Sequence, residues 1–143
     1  MKVLLLRPPL GFGVSSATTL LCPPLGLASI AAAVRAAGHE TTCIDASGEA
    51  PFQQTPDGHG LVRLGLTHAQ IVARIGQHAP DVLGVSVLFS QDWPDARDLL
   101  NTIKAAYPQL VVIAGGEHVS AMPELCLAQC AALDVCVRGE GEG

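Results

Sequence analysis

At 143 residues, 49% of them hydrophobic and only 15% charged, the chain is long enough for one domain with a sizeable core and too apolar to be disordered. Its net charge of −5, with eight Lys and Arg scattered singly, excludes the basic patch of a nucleic-acid binder. Its apolar runs fall short of the roughly 18–20 residues of a membrane span, the start "MKVLLLRPPLG" is too short for a signal-peptide core, and five separated Cys suit reduced thiols, so a cytoplasmic protein is expected, with neither membrane nor nucleic-acid partners.

Lys2 to Arg7 is a continuous apolar run, as in a strand buried on both faces. A long connection follows from Pro8 to Pro24, holding four prolines, two glycines and the polar run "SSATT". Connections of this length inside a compact α/β unit tend to be functional. Leu25 to Ala37 is Ala-rich and periodic, and Gly38 stands where a helix end wants positive φ. "HETTCIDA" reads as a second strand ending near Asp45, and residues 47–66 read as irregular and the least ordered part. Thr67 with Gln70 forms a capping-box start, with Ile71 and Ile75 as the buried stripe up to Pro80.

Asp81 to Phe89 is the third strand. Asp92 then caps a helix with Trp93-Pro94 in its first turn and Asp95 near its positive end. Leu99, Leu100, Ile103 and Tyr107 form its inner face, and Pro108 stops it. Leu110 to Ala114 is the fourth strand, a fourth helix runs from Ser120–Pro123 to about Ala132, and "DVCVRG" is the fifth strand. Strict alternation of strands and helices predicts a doubly wound, flavodoxin-like α/β fold with five parallel strands. In such sheets ligands sit beyond the carboxyl ends of the strands. A fifth helix is expected after "RGEGEG", so residues 1–143 read as a single domain that forms the N-terminal piece of a longer protein.

Several partial motifs can be set aside. Gly11-Phe12-Gly13 with Ser16 nearly spells a dinucleotide fingerprint, but the third glycine is absent and no P-loop lysine follows. Asp81 opens the third strand, the wrong end for a phosphoacceptor. Cys126, Cys130 and Cys136 do not follow C-x3-C-x2-C spacing, and the first two share one helix face as small buried hydrophobes. His118 reads either as a solvated loop histidine or as a polar contact to a ligand, while His39, His59, His68 and His78 carry no assigned role.

Two features combine into something more specific. The third strand ends on Ser86-Val87-Leu88 and the fourth on Gly115-Gly116. Glycines at a strand end let a ligand press on bare backbone. On adjacent strands, the two marks resemble the cobalamin (vitamin B12) binding domain family, where Ser-x-Leu and Gly-Gly line a slot for the cofactor's nucleotide tail. Many members also carry Asp-x-His-x-x-Gly after the first strand, with the histidine below the cobalt. Here that loop, "RPPLGFGVSSATTLLCPPLG", has no histidine. The segments "RPPLG", "PPLGLASIAAAVRAAGHETTCIDA", "IAGGEHVSAMP" and "VRGEGE" are similar to the N-terminal domain of cobalamin-dependent radical SAM enzymes, over all but residues 47–66.

The resemblance implies a base-off cobalamin without a lower axial histidine. It implies cofactor contacts from Pro9, Leu10 and Gly11 after the first strand, and from Ser86, Val87, Leu88 and Phe89 after the third. Gly115, Gly116, Glu117 and His118 after the fourth, with Gly139 and Glu140 after the fifth, complete the set. No catalytic and no metal-ligating residue is implied in this domain. Leu10, Phe12, Leu20 and Leu21 would cover the corrin, and the Pro-rich loop would form a stiff shelf below it. A radical SAM domain of the parent chain would hold the [4Fe–4S] cluster and S-adenosylmethionine. Methyl transfer is the leading activity, with cyclisation or rearrangement in some relatives. Two other readings remain: a docking domain without cofactor, and a nucleotide-binding α/β domain.

Overall fold

A computed structural model describes residues 1–13 and 22–142. The elements run β1 (Lys2–Arg7), β2 (Leu10–Phe12), α1 (Leu25–Ala36), β3 (Glu40–Asp45), α2 (Ala46–Glu49), β4 (Gln54–Pro56), β5 (Val62–Leu64), α3 (His68–His78) and β6 (Val82–Ser86). A turn at Ser90–Asp92 leads into α4 (Trp93–Ala106), followed by β7 (Val111–Gly115), α5 (Glu117–Ala121), α6 (Pro123–Gln129) and β8 (Val135–Cys136). Leu20, Leu21 and the "SSATT" run lie outside the described residues.

The main sheet has the expected five parallel strands, in the order β3-β1-β6-β7-β8. Side-chain alternation on β1 builds both faces. Leu4 and Leu6 join the larger core with Ile71, Ile75, Leu99, Leu100 and Ile103 from α3 and α4. Val3 and Leu5 join a smaller one with Leu27 and Ala31 of α1. The capping box at Thr67 and Gln70 is present, and Gly38 has φ 84° just past α1. On the α1 side, Val111 and Val135 are exposed.

Three expectations are corrected. Residues 47–66 are not irregular: β4 and β5 pair antiparallel with β2 in a three-stranded sheet ordered β2-β5-β4. Ser47, fully buried, ties this sheet to the main body by accepting from the Leu10 N–H at 3.1 Å and donating to the Leu64 carbonyl at 2.9 Å. The single fourth helix is two short ones, divided at Met122 before Pro123, whose ring supplies no N–H. Asp92 occupies the N-cap position of α4 but does not cap it with its side chain. Its Oδ1 instead accepts from the Gly11 N–H at 2.9 Å, and Gln91 Nε2 donates to the Gly11 carbonyl at 3.0 Å.

Asp95, expected as a helix-dipole charge, serves the small sheet. Arg63 of β5 donates to both its carboxyl oxygens, Nε to Oδ2 at 3.0 Å, and His68 Nε2 lies 3.0 Å from Oδ1. Burial raises the Asp95 carboxyl, but His68 and Arg63 outweigh it and hold the group down to about 2. Asp92 has no such cation. Burial pushes it up to about 6, against the Gly11 N–H and with the help of Asp95 and Asp57.

Main-chain hydrogen bonds join the carboxyl ends of β6 and β7. The Val87 N–H donates to the Gly115 carbonyl at 2.8 Å, and the His118 N–H donates to the Val87 carbonyl at 3.3 Å. Gly116 adopts φ 103° and ψ 176°, and a Cβ there would lie 2.4 Å from the Val87 oxygen. At Gly115 a Cβ would meet nothing nearer than Val137 at 3.7 Å. Gly116→Ala is therefore expected to cost about 3 kcal/mol in urea unfolding, from backbone strain plus the clash, and Gly115→Ala less than about 1 kcal/mol. Equal costs would contradict this division of roles.

A raised Asp92 pKa means that the folded chain binds a proton the unfolded chain does not, between about pH 4 and about 6. The stability from neutral Asp92 is present in full below about pH 4 and is lost as pH rises through about 6. Solvent at the cleft side of the carboxyl screens it, so Asp92→Asn should gain on the wild type by on the order of 1 kcal/mol between pH 4 and pH 7 in urea unfolding. A constant difference across that range would contradict the assignment.

Candidate functional site

The chain passes from β1 outward to β3 on one side and to β6 on the other, so the order reverses between β1 and β6. At that point the loops after β1 and β6 diverge and leave a cleft. Its walls are Arg7, Pro8, Pro9 and Leu10 on one side and Ser86, Val87, Leu88, Asp92 and Ala96 on the other. The cleft is narrow, about 10 Å³, room for about one water.

The structure brings Pro9, Leu10, Ser86, Val87 and Leu88 together in this cleft. Ser86 ends β6 directly opposite Gly115. Leu88 and Phe89 follow and turn outward, 42% and 55% exposed, a large apolar exposure for adjacent residues. Val87 points inward and is buried. Gly11 is buried as well, flanked by Leu61 and the Asp92 carboxyl rather than facing open space. Glu117 and Glu140 are exposed, and Gly139, with φ 71°, donates its N–H to Ser120 Oγ at 2.9 Å.

His118 is not the solvated loop residue that one reading expected. It is only 5% exposed, its Nδ1 lies 2.9 Å from Ser90 Oγ, and its ring packs on Trp93 with centroids 5.3 Å apart. Burial pulls its pKa below the usual histidine value.

Four residues at the cleft were absent from the sequence-derived set: Pro8, Ala96 and two charged ones, Arg7 and Asp92. Arg7 ends β1 beside Asp45 at the end of β3, in register, and grips it with Nε and Nη2, each at 2.7 Å. Its Nη1 donates to the Cys22 carbonyl at 2.6 Å, which anchors the far end of the long loop. An arginine and an aspartate closing neighbouring apolar strands was the available signal. Asp92 lay hidden behind its helix-cap position.

Among the described residues no cluster of three His, Cys, Asp or Glu could hold a metal ion. Cys126 and Cys130 are fully buried, and burial pushes both thiols up, away from reactive thiolate. No helix among them is long and apolar enough to cross a membrane. What the site offers is a shelf: a glycine strand end, a serine hydroxyl and two outward apolar side chains over a narrow, mostly apolar cleft with Arg7 and Asp92 in its walls.

The chain is 32% identical over 142 residues, 99% of its length, to an uncharacterized methyltransferase of Pyrococcus horikoshii, of which it covers 27%. It is 35% identical over 121 residues to the cytidylyl-2-hydroxyethylphosphonate methyltransferase of Streptomyces wedmorensis, covering 83% of this chain and 22% of that one. It is 30% identical to the anaerobic magnesium-protoporphyrin IX monomethyl ester cyclase of a Synechocystis strain, covering 99% of this chain and 26% of the relative. The chain thus spans about a quarter of the length of these relatives. In fold it is similar to a cobalamin-binding protein of Desulfitobacterium hafniense, with TM-score 0.61, 16% identity, and coverage of 95% of this chain and 52% of that one. The family model of the B12 binding domain matches residues 13–143, which takes in the Ser86 and Gly115 strand ends, and the chain belongs to that family.

Proposed function

We propose that the chain binds cobalamin over the carboxyl ends of β1, β6 and β7, base-off, as the cofactor module of a cytoplasmic radical SAM enzyme, a methyltransferase by its likeness to the two methyltransferases described above. The observation that carries the reading is Gly115. The fold demands glycine at Gly116 but not at Gly115, where a Cβ would make only ordinary contact with Val137 at 3.7 Å; Gly115 pairs with Ser86, two residues before exposed Leu88 and Phe89. A wide, mostly apolar disc with a polar rim fits such a shelf, with Leu88 and Phe89 excluding water and the Ser86 hydroxyl meeting a polar group of the tail.

When bound, the cofactor supplies methyl-carrying chemistry that no side chain here can provide. The chain's own residues bind and orient it. Pro8 and Pro9 stiffen the start of the lower loop at little folding entropy. Gly11 is held by Asp92 and Gln91, and Arg7 holds Cys22, so both described ends of that loop are fixed. The loop carries no histidine, and His118 Nε2 is sealed inside, so nothing in this set supplies an imidazole below the cobalt. The [4Fe–4S] cluster and S-adenosylmethionine belong, on this reading, to a radical SAM domain of the parent protein. The nucleotide reading is disfavoured because Gly11 faces a carboxylate, which repels phosphate.

Hydroxocobalamin mixed with the chain should survive desalting, and Gly115→Leu should weaken its binding at least tenfold while far-UV circular dichroism is unchanged. Equal affinity in that variant would overturn the seat.

A further inference from the structure

We propose that His118 is a positioning residue, a neutral latch that joins the loop after β6 to the loop after β7 and so fixes the shelf formed by Leu88 and Phe89. The proposal rests on the reading that this shelf seats cobalamin, but the latch itself is a property of the chain alone.

Three contacts define it. The His118 N–H reaches back to the Val87 carbonyl at 3.3 Å. Its Nδ1 meets Ser90 Oγ at 2.9 Å, and its ring lies on Trp93. Trp93 is itself held, donating its Nε1–H to Gln129 Oε1 at 2.8 Å. Leu88 and Phe89 lie between the two points, Val87 and Ser90, that His118 grips. His118 therefore holds that exposed pair at both ends, by its main chain at Val87 and by its imidazole at Ser90. Nε2 is buried without a partner, so the ring has no open edge with which to touch a ligand.

The chemistry requires the ring to be neutral. A neutral imidazole has one N–H and one bare nitrogen, and a hydroxyl rotates to suit either tautomer, so the Ser90 bond survives both. Protonation would put N–H on both nitrogens and leave a buried charge on Nε2 with no acceptor. No neighbouring charge compensates. Glu117, on the same helix, is exposed; Asp92 is turned to Gly11, and Asp95 to Arg63 and His68. After β6 the neutral Val87 carbonyl meets its main chain, and from α6 neutral Gln129 approaches through Trp93. Burial accordingly lowers its pKa.

Trp93 is the one tryptophan of the chain, so its fluorescence reports on His118 directly. Without any cofactor, emission should titrate with a midpoint below the ordinary histidine value of about 6.5, and His118→Phe should remove that titration. With hydroxocobalamin, Ser90→Ala and His118→Phe should each weaken binding roughly fivefold, and the double variant should be little worse than either. His118→Asn, which keeps a polar group for Ser90, should restore most of the affinity. If emission does not titrate, or titrates equally in His118→Phe, the latch is overturned. If Ser90→Ala binds like the wild type while His118→Phe does not, His118 acts on the cofactor itself and the latch is again overturned. A wild-type chain that titrates but retains no hydroxocobalamin keeps the latch and sinks the cofactor reading instead.

Discussion

Everything at the functional end of this molecule depends on one backbone crossing. After β6 the chain continues to Val87, and after β7 it turns back at Gly116 with no room for a side chain between them. Two main-chain hydrogen bonds close the crossing, Val87 to Gly115 and His118 to Val87. Main-chain bonds between adjacent strand ends are rigid because no rotamer freedom enters them. The loops beyond β6 and β7 therefore move as one piece, and whatever lies across them meets a fixed surface. A parallel sheet places all such loops at one end, so the crossing sits where a ligand would be held.

A second layer holds the loop after β1. The small sheet of β2, β4 and β5 lies beside the main one and brings buried polar groups with it. Arg63 and Asp95 are both nearly buried and satisfy each other, with His68 close by. Such a pair is costly to desolvate and costly to break, so it does more to fix which arrangement forms than to add net stability. Asp92 is the group this network leaves without a cation. Its one compensating contact is the Gly11 N–H, which makes the position of β2 and the protonation of Asp92 interdependent. Arg7 and Asp45 do the same work at the other end of the loop, across β1 and β3.

The main sheet was legible because β1, β6 and β7 are apolar runs closed by a turn residue or a charge, and because Thr67 with Gln70 and Gly38 mark helix ends by local chemistry. The Ser86 and Gly115 strand ends were legible as a pair because both terminate long apolar runs. The small sheet was not. "LGF", "QTP" and "VRL" are three-residue strands with glycine and proline among them, too short for alternation to register. They pair through Ser47 and Arg63, whose partners lie 17 to 37 positions away in sequence. Asp92 does not cap for the same reason: a carboxylate at a helix start looks like a cap until a distant N–H claims it, and Asp95, which does stand in the first helical turn, is claimed in addition by a distant guanidinium. His118 follows Gly-Gly-Glu and so looks like a solvated turn. Trp93, twenty-five positions earlier, is what buries it. Gly116 was read as a place for ligand approach, and the neighbouring backbone of Val87 occupies that place.

The account stands on a cobalamin seated over these strand ends with no imidazole below the metal. The most direct measurement is the electron paramagnetic resonance spectrum of the chain loaded with cobalamin in its Co(II) form and desalted. The account predicts a retained corrin signal without the nitrogen superhyperfine splitting that an axial histidine or benzimidazole imposes. A signal split by an axial nitrogen, or a well-folded chain that retains no corrin at all, would contradict it.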